Sequence, residues 1–310
     1  MFRPLLFVLA IGVALGASSQ QQPVFRAGAD TVPVYVTVTD KSGRLVPDLA
    51  QMDFQVFDNG KPQPITAFDN SPQAIRLIVM VDVSGTMFRN LQLLRAAGGQ
   101  LVSQLGPGDL AKIGVFGDTI DIGPTFTHDA RELIASLPTD ISPNASTPLW
   151  RAIDKAIGEL GHSEGRPVVL VMSDGKDTSP VAGRHWMTQL DVLDHATRED
   201  VMVYGIGVQS RGPGMPGMGG NPMEAMVANL PDPGLGTLAI ATGGGYFELR
   251  PRDDLGESFG RVLDELHHQY LLGFAPPARD GKEHKIEVKL TRKDLKPRAR
   301  KTYRSEKRES

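Results

Sequence analysis

Residues 77–87 read Leu-Ile-Val-Met-Val-Asp-Val-Ser-Gly-Thr-Met. Five consecutive apolar residues, Leu77 to Val81, leave no polar face. The strand they form is therefore covered on both sides, as in a parallel sheet with helices above and below. The run ends in a carboxylate, Asp82, followed by two hydroxyls, Ser84 and Thr86, at alternate positions around Gly85. In open parallel sheets, ligands bind just outside the carboxyl ends of the strands. One stretch thus sets both the fold class and the place to look for chemistry.

Outward from it, similar apolar runs recur at 111–116, 167–172 and 201–208, and a last short strand is expected from Tyr246 to Leu249 after three glycines. Helical patterns fill the gaps at 89–105, 129–137, 148–160 and 184–199. Buried strands alternating with amphipathic helices predict an α/β architecture over residues 75–250: a doubly wound, mostly parallel sheet with helices on both faces. A connecting helix follows over 253–268, with Leu255, Phe259, Val262, Leu263 and Leu266 on one face.

Both flanks change to period two. Upstream, Val32, Val34, Val36 and Val38 share a strand face, and a second strand is expected near Phe54 to Phe57. Asn59-Gly60 then reads as a hairpin turn, with Ile65 to Phe68 as the partner strand. Downstream, strands are expected at 270–274, 284–290 and 298–303. The 25–70 segment is too short to bury a core alone. The reading is a small β-sandwich in which 269–304 pairs with 25–70, the α/β part being inserted between them.

Composition narrows the chemistry. The 310 residues contain no cysteine, which excludes disulfides, thiolate metal sites and thiol nucleophiles and leaves oxygen or histidine as metal ligands. The formal charge of −3 gives no overall case for nucleic acid. It is unevenly spread: residues 281–310 carry twelve Lys+Arg against five Asp+Glu, +7, leaving −10 elsewhere. That basic end is a candidate for envelope association, although alternating charges on edge strands also serve to block aggregation. At the start, Arg3, the apolar run Leu5 to Leu15 and the small residues through Ala17 have the layout of a secretory signal peptide over 1–17, with cleavage after Gly16 or Ala17. A chain exported by such a signal yet free of cysteine suits a bacterial periplasmic or extracellular location.

Further along, Thr147 precedes Pro148 at an expected helix start, and Asp174 ends the strand Val168 to Ser173 before a glycine. Two carboxylates and three hydroxyls at strand ends or adjoining loops make a hard oxygen site suited to Mg²⁺ or Mn²⁺. Taken alone, Asp82, Ser84 and Thr86 read equally well as caps of a helix beginning near Phe88. Thr147 and Asp174, in this order and context, favour the metal.

This constellation resembles the von Willebrand factor type A family and its metal-ion-dependent adhesion site. The family pattern is Asp-x-Ser-x-Ser, a distant Thr and a distant Asp. It falls here on Asp82, Ser84, Thr86, Thr147 and Asp174, with Thr86 replacing the last serine and keeping a hydroxyl. The resemblance implies a sheet with one short antiparallel edge strand and a divalent cation. Ser84, Thr86 and, in some states, Thr147 would touch that cation, with Asp82 and Asp174 acting mostly through water. It also implies a protein partner whose acidic side chain completes the shell. The flanks, with Val34, Val36, Val38-Thr39-Asp40-Lys41, Gly43-Arg44 and Asp53-Phe54 upstream and Gln269-Tyr270-Leu271-Leu272-Gly273-Phe274 downstream, resemble exported von Willebrand-type proteins of acidobacteria.

Two other functions stay open at this stage. A Mg²⁺-dependent phosphoester hydrolase would need a base and a cation, for which Lys176 and Asp177 are the nearest candidates. An accessory subunit of a larger envelope complex would use the same fold. The chain has no P-loop, no G-x-S-x-G elbow and no HExxH motif. His267 and His268 are adjacent, about 100° apart on a helix, and do not suit a shared metal. The Gly/Met/Pro segment 211–222 reads as a surface loop, and Asn144-Ala145-Ser146 as an incidental glycosylation sequence.

Overall fold

The computed structural model describes residues 31–85, 87, 99–100, 103–137, 144–161, 165–174, 177–178, 186–209, 231–250 and 253–307. The signal segment 1–17, Thr86, Lys176, the loop 211–222 and most of the 89–105 helix lie outside them.

In chain order the elements are β1 (Val32–Thr39), β2 (Phe54–Asp58), β3 (Lys61–Gln63), β4 (Ile65–Asp69), β5 (Ile75–Asp82), β6 (Leu110–Phe116) and β7 (Ile120–Ile122). They continue with α1 (Ala130–Ala135), α2 (Leu149–Leu160), β8 (Arg166–Ser173), α3 (Gln189–Arg198), β9 (Met202–Val208), α4 (Pro233–Ala241), β10 (Tyr246–Leu249) and α5 (Leu255–His267). Last come β11 (Tyr270–Phe274), β12 (Glu283–Leu290), β13 (Lys296–Arg298) and β14 (Thr302–Arg304).

The central sheet has the order β10-β9-β8-β5-β6-β7. Its strands are parallel except β7, which pairs antiparallel with β6 at the edge. Alternation within β5 shows why the sequence carries an unbroken apolar run. Leu77, Val79 and Val81 enter one core with Phe259, Val262 and Leu266 of α5, while Ile78 and Met80 enter the other with Ile153, Ile157 and Leu160 of α2. Each side chain from Leu77 to Val81 thus enters a helix-covered core, and a charge among them would be buried.

Two four-stranded sheets form the sandwich, ordered β13-β1-β11-β4 and β14-β12-β2-β3. Val34, Val36, Phe54, Val56, Leu272, Phe274, Ile286 and Tyr303 fill the space between them. Each half of the chain is incomplete alone: β1 lies between β11 and β13, and β2 between β12 and β3.

The structure corrects two strand assignments. The partner of β2 is β3, not residues 65–68. Asn59 and Gly60 both take positive φ (46° and 78°), forming a two-residue turn that fixes Asp58 opposite Lys61. Pro64, without an N–H, ends that ladder, and the chain crosses to pair β4 with β11. The expected 298–303 strand is likewise two short ones. Here β13 adds to β1 and β14 to β12, because the chain changes sheets at 299–301. Helix α4 was not anticipated, although Asp232 caps it with a bond to the Gly234 N–H (2.7 Å) and Pro233 occupies its first turn.

The sandwich adjoins the edge of the central sheet where its parallel strands begin. Arg166, the first residue of β8, is buried there. It donates to the Leu266 carbonyl at the end of α5 (2.9 Å) and to Gln269 Oε1, and stacks on Tyr35 at 4.2 Å. Gln269 in turn donates to Thr37 of β1 (2.7 Å), and Arg298 pairs with Glu265. These ties lie at the edge opposite the carboxyl ends of the parallel strands.

Candidate functional site

At that carboxyl edge, Asp82 closes β5 with 0% exposure. Its Oδ1 accepts the Ser84 N–H at 2.8 Å, which bends the loop tightly after the strand. Its Oδ2 accepts the Ser173 hydroxyl at 2.5 Å. Ser173 ends β8, the neighbouring strand in register with β5, so the site begins as a cross-strand carboxylate–hydroxyl pair. Burial pushes the Asp82 carboxyl above its ordinary range, and the bonds from Ser173 and Ser84 only partly offset this. A buried carboxylate held up by desolvation is a group that a nearby cation would stabilise in its charged form.

Asp174 follows directly and is buried, as are Ser84 and Thr147. Thr147 is fixed through its backbone. Its N–H donates to the Thr178 hydroxyl (2.8 Å), and its carbonyl accepts from the Thr178 N–H (3.0 Å) and the Leu149 N–H (2.9 Å). The loop leaving β8 is therefore stitched to the entry of α2. Pro148 occupies the cap position and Leu149 the first helical residue. A third loop closes the group. A Cβ placed on Gly117, after β6, would lie 3.1 Å from Val83 Cγ2 and 3.4 Å from Ala145 Cβ, so glycine lets the three segments meet. Ser146 donates its N–H to Asp118 at 3.3 Å.

The structure thus gathers Asp82, Ser84, Thr147 and Asp174 at one edge of one sheet, through loops bonded to one another. Thr86 lies outside the described residues. Ser173 was missed in the sequence, where it reads as the end of an apolar run; its signal was a lone hydroxyl inside Val-Val-Leu-Val-Met-Ser-Asp. Among the described residues no three His, Asp or Glu side chains form a group able to hold a metal ion. A cation at this edge would instead use two carboxylates together with hydroxyls. That all-oxygen donor set fits a hard divalent ion. The adjacent histidines engage separate partners: His267 Nε2 meets Asp109 at 2.7 Å, and His268 Nδ1 meets Asp264 at 3.0 Å.

A six-stranded sheet in this order, with one short antiparallel edge strand, helices on both faces and a carboxylate–hydroxyl group at its carboxyl edge, is the arrangement that the resemblance to the von Willebrand factor type A family implies. The chain is similar to solved structures of that kind. BatB from Bacteroides thetaiotaomicron matches at 17% identity and a TM-score of 0.46, over 62% of this chain and 98% of that one. The ArnB paralog VWA2 from Sulfolobus acidocaldarius matches at 16% and 0.44, over 89% and 76%. The vWF domain of the type V pili tip protein Mfa5 from Porphyromonas gingivalis matches at 10% and 0.45, over 62% and 95%. At such identities and scores these likenesses carry no argument about what this chain binds. No protein-family model and no curated protein matches the sequence.

Proposed function

We propose that the protein is an exported, non-enzymatic binding module whose site holds Mg²⁺ or Mn²⁺ and engages an acidic side chain of a protein partner. The carrying observation is the burial of Asp82, Ser84, Thr147 and Asp174 at the carboxyl edge of the central sheet. In this reading Ser84, Thr86 and Thr147 supply hydroxyl ligands, and Asp82 and Asp174 hold water or the ion itself. Bound there, the ion supplies an electrophilic centre, since only two carboxylates offset its charge. Asp82 also orients Ser84 through its backbone bond, and Ser173 keeps the second carboxylate oxygen directed across the strands.

Export rests on residues 1–17, read as a cleaved signal. No helix among the described residues is long and apolar enough to cross a membrane. The proposed organisation is a binding module over 75–250, mounted through the 253–268 helix on a sandwich made by 25–70 and 269–304.

Thermal unfolding with and without Mg²⁺ or Mn²⁺ tests the site. An ion at about a hundred times its dissociation constant stabilises the folded state by about 2.7 kcal/mol. That corresponds to a rise in Tm of roughly 5 °C for a chain of this size. The rise is expected in the wild type and absent in Asp82→Ala. An equal rise in the variant refutes the assignment.

A further inference from the structure

At the far end of the sandwich, His284 occupies the inner face of β12, directly opposite Tyr303 of β14 in register. It is buried, as are Asp58 and Tyr303. His284 Nδ1 lies 2.9 and 3.1 Å from the two oxygens of Asp58, at the end of β2, and Nε2 lies 3.2 Å from Asp280 Oδ1, in the loop before β12. Carboxylates thus face both ring nitrogens. A neutral imidazole donates from one nitrogen only, so the arrangement is satisfied in full only by the imidazolium. The Tyr303 hydroxyl stands 3.3 Å from the same Nδ1.

We propose that His284 is a proton-operated latch that holds the C-terminal strand β14 onto the sandwich. Protonated, it bridges Asp58 of β2 and Asp280 and closes that end of the sheet. Deprotonated, the ring can donate to only one of the two carboxylates and no longer offers a cation to either; for the buried Asp58 this is costly until water reaches it. The easiest opening is β14, which pairs over only three residues. This strand also ties the sandwich to the binding module, through Arg304 and Asp194 of α3 at 2.9 Å. Loosening it weakens the mounting of α3.

The remaining charges nearby do not replace the histidine. Glu283 and Lys285 on β12 are exposed on the other face. Lys282 donates its backbone N–H to Asp280, and Lys307 bridges to the same residue. Arg300 acts on Tyr303 only through space. Burial lowers the affinity of His284 for its proton, but the bonds from Asp58 and Asp280 outweigh this and hold it above the ordinary 6.5. A basic group raised in the folded state contributes its full stability below that ordinary value and loses it as pH climbs through the raised one. The latch is therefore closed below the ordinary 6.5 and opens as pH climbs through the raised value. None of this depends on the metal reading.

Hydrogen exchange of the full-length protein between pH 5.5 and 9, corrected for intrinsic rates, tests the latch. Amides of residues 302–305 are expected to lose about tenfold more protection than those of β5 for each unit by which the His284 pKa exceeds 6.5. His284→Gln should remove the pH dependence, and Asp58→Asn should move it to lower pH. Flat protection at 302–305 in the wild type, or an unchanged slope in His284→Gln, overturns the proposal. If either variant fails to fold, NMR titration of His284 in the wild type decides. A midpoint above 6.5, followed by the Tyr303 ring signals, supports the latch, and a midpoint at or below 6.5 overturns it.

Discussion

Ending the chain at His268 removes β11 to β14 and leaves every residue of the N-terminal strands in place. The outcome follows from the pairing. Strand β1 loses both neighbours, and β2 keeps only the three-residue β3. Six buried side chains of the sandwich core come from the N-terminal side: Val34, Val36, Val38, Leu49, Phe54 and Val56. Exposing each costs about 1.5–3 kcal/mol, so the truncation forfeits roughly 9–18 kcal/mol. That exceeds or matches the total stability of an ordinary domain, about 5–15 kcal/mol. Residues 31–69 are thus expected to unfold as a whole, while the six-stranded sheet, with its own two cores, stays folded. Limited proteolysis followed by mass spectrometry reads both parts in one experiment. A resistant fragment containing 31–69 would refute the claim that the two chain ends share one core. Collapse of the central sheet as well would show that it depends on the sandwich for stability.

Other perturbations test single contacts. Asp109 is buried and accepts from the Ile75 N–H (3.0 Å), the Gly106 N–H (2.7 Å) and His267. Burial raises its carboxyl, but those bonds outweigh burial and leave it below the ordinary 3.8. A depressed acid contributes stability above that value and loses it as pH falls through the lowered one. Asp109→Ala should therefore cost about 2–4 kcal/mol at neutral pH by stranding two amides. Urea titrations should show the gap from wild type closing only in strong acid; a constant gap down to the acid transition would contradict this account. Gly244→Ala would place a Cβ 1.9 Å from the Val203 carbonyl oxygen, where only backbone can yield, and should cost about 3 kcal/mol. Gly43→Ala, at φ +82° with nothing within 4 Å, should cost only about 1–2 kcal/mol from the left-handed backbone. Equal losses at the two glycines, by chemical denaturation, would rule out the steric explanation.

Strand type and sheet class were legible because burial on both faces leaves a compositional mark: Leu77 to Val81 cannot be a half-exposed strand or a surface helix. Pairing was less legible where the chain crosses between sheets. Around Pro64 and around 299–301, hydrophobic alternation continues across a point where the ladder changes partner. Alternation alone therefore joins what the fold divides. The Asn59-Gly60 turn held the needed information, since a two-residue loop obliges the partner to start at Lys61. The positions of Asp82, Ser84, Thr147 and Asp174 at the carboxyl edge were legible, because Asp82 ends a strand, Ser84 and Asp174 follow strand ends and Thr147 precedes a helix. Ser173 was not, because its role depends on which strand lies beside β5, and adjacency of β5 to β8 is a property of topology rather than of local sequence. His284 shows the same limit more strongly: Asp58 is 226 residues away, and only the register of β12 on β2 brings them together.

Closing the sandwich with the last strands of the chain has a consequence for how the protein is made. Val32 pairs with Phe274, so β1, once it has emerged from a ribosome or a translocation channel, waits for more than two hundred residues before that neighbour exists. The central sheet, whose strands are drawn from one continuous stretch, can assemble during that interval. Until then the valine face of β1 is an open edge, vulnerable to pairing with other nascent chains. Completion of the sandwich is thus timed by the arrival of β11 to β14. Any interruption of synthesis after the central sheet yields a molecule with that sheet built and its sandwich missing.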